Sequence, residues 1–282
     1  MMINENRPQM HSPSSLNRSG FTLLELLVCI GIIGVLIGLL LPALAGARGS
    51  ALQTVALSHV RSVGTQFAQF AGNKGKYPHQ NLGQLPASLE GTGAYEPVGD
   101  ELIIEWYPRG VIIATTDYFD HRWMWPAMLT PIDEWPDYWE TWVSPRKDQE
   151  LPKLEDIGLD SEIQIRDMIS IEYSNSFIAR PSMWLDGRDF DEASMLRPTR
   201  PHDAKYPSSK VMLWDDDLSY LSGKNRPERV DGLFDAKTPM AFADGHADAL
   251  LPSDATEGAK NLYNGATTKL HNTPDGVGGR DY

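Results

Sequence analysis

The most informative residue for the chemistry of this sequence is Glu25, a lone carboxylate in an apolar segment. From Phe21 to Leu41 the chain runs for 21 residues, of which only Thr22 and Glu25 are clearly polar. A carboxylate near the centre of a bilayer costs roughly 2.5–3.5 kcal/mol, so a partner is expected. If the chain is cleaved between Gly20 and Phe21, the Glu25 carboxylate of one subunit can pair with the new α-amine of a neighbour.

Two competing interpretations of this segment stay open. Ala43-Leu44-Ala45 matches the small-x-small pattern of a secretory cleavage site, although the apolar run is longer than the usual 7–15 residues of a signal peptide. An unprocessed membrane anchor is the second alternative. Neither interpretation gives the carboxylate of Glu25 a use, whereas cleavage after Gly20 does.

Two acid-rich stretches contain the other candidates for chemistry. Asp215, Asp216 and Asp217 are consecutive, and Asp244 and Asp248 bound the stretch DGHAD. Carboxylate oxygens suit Ca²⁺, so these five aspartates form a possible cation site. The plainer interpretation is a solvated strand end and a hairpin turn.

His246 is a possible transition-metal ligand, together with Asp244 or Asp248, and a surface histidine is the competing interpretation. The sequence has no nucleophile elbow with a Ser-His-Asp order, no glycine-rich phosphate loop and no HExxH motif. The segment 186–192 lacks the acid spacing of an EF-hand. We therefore predict no catalytic residue, no metal site and no cofactor, and we keep Ca²⁺ at the five aspartates as the alternative.

Tryptophans are concentrated in one proline-punctuated part of the chain, which we call the tryptophan-rich segment. It contains Trp106, Trp123, Trp125, Trp135, Trp139 and Trp142. Aromatic side chains bury large areas and anchor contacts between proteins. The segment is therefore either packed into a core or exposed as a surface for a protein partner or a glycan.

A long helix must position Glu25. At about 1.5 Å per residue, 21 helical residues span about 30 Å, the thickness of a bilayer core. We predict a transmembrane helix over 21–41 that continues over 42–72, with a kink at Pro42, and ends within 72–78. An apolar stripe on the continuation is formed by residues spaced three and four apart: Leu52, Val55, His59, Val63, Phe67 and Phe70.

Strand-like segments follow the helix. ELIIEWY and VIIATT predict a hairpin, and IEYSNSFIA and KVMLW predict further strands. Asp244-Gly245 predicts a two-residue type I′ turn in PMAFADGHADALL. The glycine-rich, polar residues 252–282 are predicted to form a loosely ordered tail. One long helix followed by strands predicts an α+β fold, in which the helix packs on an antiparallel sheet within a globular domain over 73–251.

Charge indicates the orientation of the chain. The net charge of the 282 residues is −13, and the acidic excess lies after Leu41. An acidic domain repels phosphates, so no nucleic-acid partner is expected. Residues 1–20 contain Arg7, Arg18 and Glu5, and this slightly basic leader is predicted to be cytoplasmic, with the globular domain outside. Cys29 is the single cysteine and lies in the apolar run, which excludes an intrachain disulfide.

The stretch RSG followed by FTLLELLV resembles the class III signal of type IV pilins and type II secretion pseudopilins. The resemblance implies that a prepilin peptidase cleaves after Gly20 and methylates the amine of Phe21, and that Glu25 is the assembly carboxylate. Pro42 stands at the 22nd mature position, where these families often have proline. KGKYPH, WVSPRKD, YPSSKVMLWDD and MAFADGHADAL are similar to a bacterial pilin-like family whose large ectodomains end in an FADGH hairpin.

This resemblance implies a structural subunit rather than an enzyme. Its partners would be the prepilin peptidase and other pilin or pseudopilin subunits, in a type II secretion or type IV pilus fibre. It would be a single-pass protein of the inner membrane, with a periplasmic or extracellular ectodomain. The alternative is a membrane-tethered, non-polymerising surface protein that binds its ligand through the tryptophan-rich segment.

Overall fold

The structure is a computed structural model, and it describes residues 22–79, 95–98, 101–106, 110–115, 118–130, 134–145, 169–221 and 227–282. The chain divides into two compact units, with the boundary between Arg48 and Gly49. The first unit contains the apolar part of the long helix, and the second contains the sheets and their core.

Helix α1 spans Leu23–Lys74, 52 residues, and includes Pro42. The predicted continuation beyond Pro42 is therefore confirmed, while the kink stays a prediction. The helix ends where expected, because Gly75 adopts a left-handed conformation with φ +68°. Glycine enters this region without the steric cost that a Cβ imposes. The amide of Gly75 donates to the carbonyl of Ala71 at 2.8 Å.

The buried face of α1 differs in part from the predicted apolar stripe. Val55 is 41% exposed and Phe70 is only half-buried. The residues that α1 buries are Ala56, Val60, Val63, Gly64, Phe67 and Ala71. Three of them, Ala56, Gly64 and Ala71, are small. Small residues are required because a Cβ at Gly64 would lie only 3.0 Å from the Cβ of Ala241 in the sheet. Apolar periodicity alone did not reveal this close approach.

Nine strands are present in the described residues: β1 Tyr95–Val98, β2 Glu101–Trp106, β3 Gly110–Thr115, β4 Ile171–Tyr173, β5 Val211–Asp215, β6 Arg229–Val230, β7 Leu233–Phe234, β8 Thr238–Phe242 and β9 Ala247–Leu250. They form three sheets, with the orders β1-β2-β3, β4-β5-β8-β9 and β6-β7. All the strand pairs are antiparallel. The predicted α+β class, a long helix with an antiparallel sheet, is confirmed.

The predicted β2–β3 hairpin is confirmed, and Trp106 pairs with Gly110 at its closed end. The strand predicted for IEYSNSFIA is wrong beyond Tyr173. Ser174 caps a short helix there, because its Oγ accepts a hydrogen bond from the amide of Ser176 at 3.3 Å. The short helices are α2 Trp125–Leu129, α3 Trp135–Trp142, α4 Asn175–Ile178 and α5 Glu192–Met195.

The β8–β9 hairpin forms, but its predicted type I′ turn is wrong. That turn needs positive φ at both central residues, and here Gly245 has φ +90° whereas Asp244 does not have a positive φ. Gly245 N donates to Phe242 O at 2.9 Å, and Phe242 N donates to His246 O at 2.9 Å. The loop therefore contains three residues, with glycine at its left-handed position.

A two-residue turn of the predicted kind occurs instead between β6 and β7. Asp231 and Gly232 have φ +51° and +85°, and Val230 pairs directly with Leu233. The dipeptide Asp-Gly therefore makes different turns at two places. The register of the flanking strands decides which turn forms.

The main core joins α1, the central sheet and the short helices. Phe67 of α1 lies 4.7 Å from the ring of Tyr173 and 5.6 Å from that of Trp125, measured between centroids. All three side chains are fully buried. Trp135, Trp139 and Trp142 belong to the same cluster.

The prediction of a loosely ordered tail over 252–282 is wrong. Asp281 is 1% exposed, and its Oδ2 accepts from Lys210 Nζ at 3.1 Å and from Val211 N at 2.8 Å. Thr273 Oγ1 donates to Asp281 Oδ1 at 2.5 Å and itself accepts from Lys210 Nζ. Polar composition misled the prediction, because each of these buried polar groups finds a hydrogen-bond partner within the domain.

Candidate functional site

The candidate assembly segment comprises residues 20–25, from the predicted cleavage site to the predicted assembly carboxylate. Its described part begins at Thr22, directly before α1. Thr22 N and Oγ1 both donate to Glu25 Oε2, at 2.9 and 2.8 Å, and Glu25 N donates to Thr22 Oγ1 at 3.2 Å. This reciprocal pattern is a capping box, which satisfies two amides that the first turn of a helix leaves without intrahelical partners. The sequence signal for this capping box is the spacing T-x-x-E at Thr22–Glu25, and the box was not predicted.

The first unit presents apolar side chains on every side of α1. From Leu23 to Leu44 the large aliphatic residues are about half to nine-tenths exposed, and Leu23 reaches 87%. Cys29, in the same run, is exposed as well. Within the described residues, α1 is the one helix long and apolar enough to cross a membrane. A helix that is apolar all round requires a membrane or other apolar helices around it.

Gly20 and Phe21, the predicted cleavage and methylation residues, lie outside the described residues. Both assignments therefore stay predictions. Glu25 and Pro42 are described, with Glu25 in the first turn of α1 and Pro42 within the helix. The predicted assembly role of Glu25 is likewise untested by the structure.

Asp215 is the most buried of the candidate cation ligands, with 1% exposure at the end of β5. Its Oδ2 accepts from Ser144 Oγ at 2.7 Å, and its Oδ1 accepts from the amides of Asp217 and Leu218 at 3.0 and 3.1 Å. Leu218 has φ +47°, which is strained for a bulky residue. Asp215 thus uses both carboxylate oxygens to hold a tight turn.

Asp216 and Asp217 bind partners different from those of Asp215. Asp216 forms a two-pronged contact with Arg229, with Oδ2 to Nη2 at 2.7 Å and Oδ1 to Nη1 at 3.2 Å. Burial, reinforced by the charge of Glu172, raises the pKa of Asp216 to about 7, although Arg229 opposes the shift. Asp217 Oδ2 accepts from Ser170 Oγ at 3.3 Å.

The structure does not bring the two acid-rich stretches together. Val211 pairs with Phe242, so the loop that contains Asp244 lies at the opposite end of β5 from Asp215. Asp248 lies on β9, an edge strand of the sheet, and pairs with Met240 of β8. In the described ranges, no group of three or more His, Cys, Asp or Glu side chains could hold a metal ion.

His246 lies on the surface of the β8–β9 hairpin. Its Nδ1 is 2.6 Å from Asp244 Oδ1, and its ring stacks on Phe242 with centroids 4.2 Å apart. The side chain is 44% exposed. These contacts fit the interpretation of a surface histidine that stabilises the hairpin.

Four tryptophans of the tryptophan-rich segment are buried in the core. Trp125 and Trp142 are 0% exposed, Trp135 is 2% exposed and Trp139 is 5% exposed. Trp125 Nε1 donates to the carbonyl of Ile171 at 2.9 Å. Of the two interpretations, the core one is confirmed for these four side chains, and an exposed aromatic surface made by them is wrong.

A buried charged network was not predicted from the sequence, because its members are far apart in the chain. Glu172 Oε1 lies 3.0 Å from Arg122 Nε and 2.9 Å from His271 Nε2. Burial would raise the pKa of Glu172, but His271 and Arg122 outweigh it and lower that pKa. Burial lowers the pKa of His271. Its Nδ1 accepts from Asn175 N at 3.4 Å, so Nε2 holds the proton that it donates to Glu172.

In comparisons with known proteins, the profile described as the prokaryotic N-terminal methylation motif matches residues 15–41. No curated protein and no solved structure matches the chain. The matched residues include Gly20, Phe21, Glu25 and the apolar run. The similarity of the ectodomain to the FADGH family stays a prediction. The match supports a pilin- or pseudopilin-type protein of the kind that prepilin peptidase processes.

Proposed function

We propose that this protein is a structural pilin- or pseudopilin-type subunit that polymerises into a type II secretion or type IV pilus-like fibre. The observation that supports this proposal most strongly is the sequence of features at the start of the chain. A methylation motif over 15–41 leads directly into α1, whose first half exposes apolar side chains and contains one carboxylate, Glu25.

A subunit with this function needs an apolar environment for the exposed half of α1 both before and after assembly. After synthesis, the first half of α1 lies in the inner membrane, with residues 1–20 in the cytoplasm and the ectodomain outside. During assembly the same side chains pack against the helices of neighbouring subunits. Packing of this kind keeps apolar surface away from water in both states.

The geometry of Glu25 is compatible with a second partner. Both bonds from Thr22 go to Oε2, and a carboxylate has two oxygens with about four acceptor sites. Oε1 therefore can accept from the methylated amine of Phe21 in a neighbouring subunit. Pairing the two charges in an apolar fibre core offsets the cost of burying each one.

The tryptophan-rich segment does not favour the alternative function. A tethered surface protein that binds through that segment would need exposed aromatic rings. Trp125, Trp135, Trp139 and Trp142 are buried instead. The ectodomain also needs no catalytic role in a fibre, in keeping with a subunit that is a substrate of prepilin peptidase rather than an enzyme.

Intact mass and amino-terminal sequencing of the protein from its native membranes test the processing step. The mature chain should begin at Phe21 and contain one added methyl group on its amine. Gly20→Val should leave the full-length precursor, because a branched side chain obstructs the cleavage site. A mature chain that began at Gly46 would show ordinary signal-peptide cleavage and contradict the proposal. Fibre formation is tested separately, by looking for the mature chain among fibres sheared from cells.

A further inference from the structure

A groove of about 270 Å³ lies between the last turns of α1 and the segment that contains α2 and α3. Gln66, Gln69, Phe70 and Asn73 of α1 line one wall, and Tyr138 of α3 is on the other. The volume is close to the lower end, about 300 Å³, of the range for small-ligand sites. The groove therefore has room for about one monomer of a longer, polymeric ligand.

The groove wall follows from the helical repeat. Positions 66, 69, 70 and 73 are spaced i, i+3, i+4 and i+7, so their side chains share one side of α1. The adjacent face contains Val63 and Phe67, which are buried in the core. Gln69 and Asn73 are exposed. The core contacts fix the helix, and the amides are therefore presented on a rigid support.

Gln66 is the least satisfied of these side chains. Its Oε1 is buried and has no hydrogen-bond partner among the described residues. Native proteins rarely leave a buried polar atom without a partner, and such an atom points to a group that binds there. Gln66 also lines the groove, so a rotation of its side chain would bring this acceptor to a hydroxyl of a ligand there.

The opposite wall adds an aromatic platform. Tyr138 is 37% exposed, and its ring stacks on that of buried Trp142 at an interplanar angle of 8°. Glu134, also exposed, is the one charged side chain among the described residues that line the groove. The groove has no lysine or arginine among its described lining residues, which disfavours phosphates and other anions.

We propose that this groove binds a neutral saccharide. Sugar hydroxyls both donate and accept hydrogen bonds, and the side-chain amides of Gln66, Gln69 and Asn73 offer both kinds of group. The apolar face of a sugar ring matches the exposed ring of Tyr138, which combines an apolar body with a polar tip. The proposal does not depend on fibre formation, and it uses none of the buried tryptophans as a contact surface.

The test is calorimetric titration of the full chain in lauryldimethylamine oxide, a detergent without a sugar headgroup. Maltohexaose, cellohexaose and chitohexaose are titrated in turn, and at least one should bind saturably. The double variant Gln69→Ala/Asn73→Ala should weaken that binding about tenfold or more, since two hydrogen bonds are lost. Gln53→Ala, an amide on the same helix outside the groove, should leave the affinity unchanged.

Two further variants separate binding from folding. Gln66→Met removes the buried acceptor at similar volume, so it should raise the unfolding temperature while weakening the saccharide. Tyr138→Ala should weaken binding, whereas Tyr206→Ala, which removes a somewhat more exposed ring elsewhere, should not. No binding of any of the three hexasaccharides would overturn the proposal. Equal binding by the double variant, or tighter binding of the acidic polymer polygalacturonate, would overturn it too.

Discussion

The ring of Phe67 on α1 meets the ring of Tyr173 on β4 edge to face, with centroids 4.7 Å apart and an interplanar angle of 62°. This contact ties the second half of the long helix to the central sheet. Because both rings are fully buried, neither can be removed without leaving a cavity. The second half of α1 is thus part of the ectodomain core.

Phe67→Ala should lower the free energy of unfolding by about 3–5 kcal/mol, since it deletes a buried aromatic ring. Val55→Ala, at an exposed position of the same helix, should change it by less than about 0.5 kcal/mol. Urea unfolding of the solubilised chain, followed by tryptophan fluorescence, measures both. Equal effects of the two substitutions would show that α1 contributes nothing to the core.

Asp281→Ala should destabilise the protein by roughly 3–5 kcal/mol, because it leaves the buried ammonium of Lys210 without its counter-charge. Burial already lowers the pKa of Lys210, against the opposing effect of Asp281. The double variant Lys210→Met/Asp281→Leu removes both charges and should recover most of the loss. The same urea titration measures it, and a double variant no more stable than Asp281→Ala would rule out the ion pair as the cause.

Asp216 should make stability depend on pH. Its folded pKa of about 7 lies above the ordinary value of 3.8, so between these pH values the folded state binds a proton that the unfolded state has lost. The contribution is fully present below pH 4 and is lost as pH rises through 7, at about 1.4 kcal/mol per pKa unit.

The measurement compares the wild type with Asp216→Asn from pH 4 to pH 8. Asparagine does not titrate, so the variant should gain stability relative to the wild type across this range, and the difference should level off above pH 8. A difference that stays constant with pH would mean that Asp216 is ionised in both states throughout.

Glu25→Gln and Glu25→Leu should separate helix capping from charge pairing. Glutamine preserves the capping box with Thr22 but has no charge, and leucine abolishes both. Cleavage after Gly20 should persist in both variants, and fibre assembly should fail in both, because the amine of Phe21 loses its counter-charge. Shearing and crosslinking of cells measure the fibres. Normal fibres from Glu25→Gln would reveal capping as the only role of this carboxylate.

Local signals explain most of what could be predicted from the sequence. The apolar run around Glu25, the end of α1 at Gly75 and the β2–β3 hairpin all depend on residues close together in the chain. The same is true of the methylation motif, which a short segment defines completely. These features belong to the helix and to the candidate assembly segment.

Features that depend on distant residues were not predictable. Asp215 looked like a cation ligand, because nothing near it in sequence indicates that Ser144 occupies one of its oxygens. The tail was predicted to be loosely ordered because it is polar and glycine-rich. It is ordered because its polar residues bond to distant partners such as Lys210, which lies 71 positions before Asp281. The turn at Asp244-Gly245 was misassigned, because its type follows from strand register rather than from the dipeptide.

The pairing of Lys210 with Asp281 also constrains the order in which the ectodomain can fold. The two residues are separated by 71 positions, so the start of β5 stays incomplete while the intervening chain is being synthesised. Contacts between such distant residues form late, because a long loop must close first. An ectodomain that crosses the membrane behind α1, with residues 1–20 left in the cytoplasm, would therefore lack this buried pair during passage. It would lock into its final form only after residue 281 had emerged on the far side.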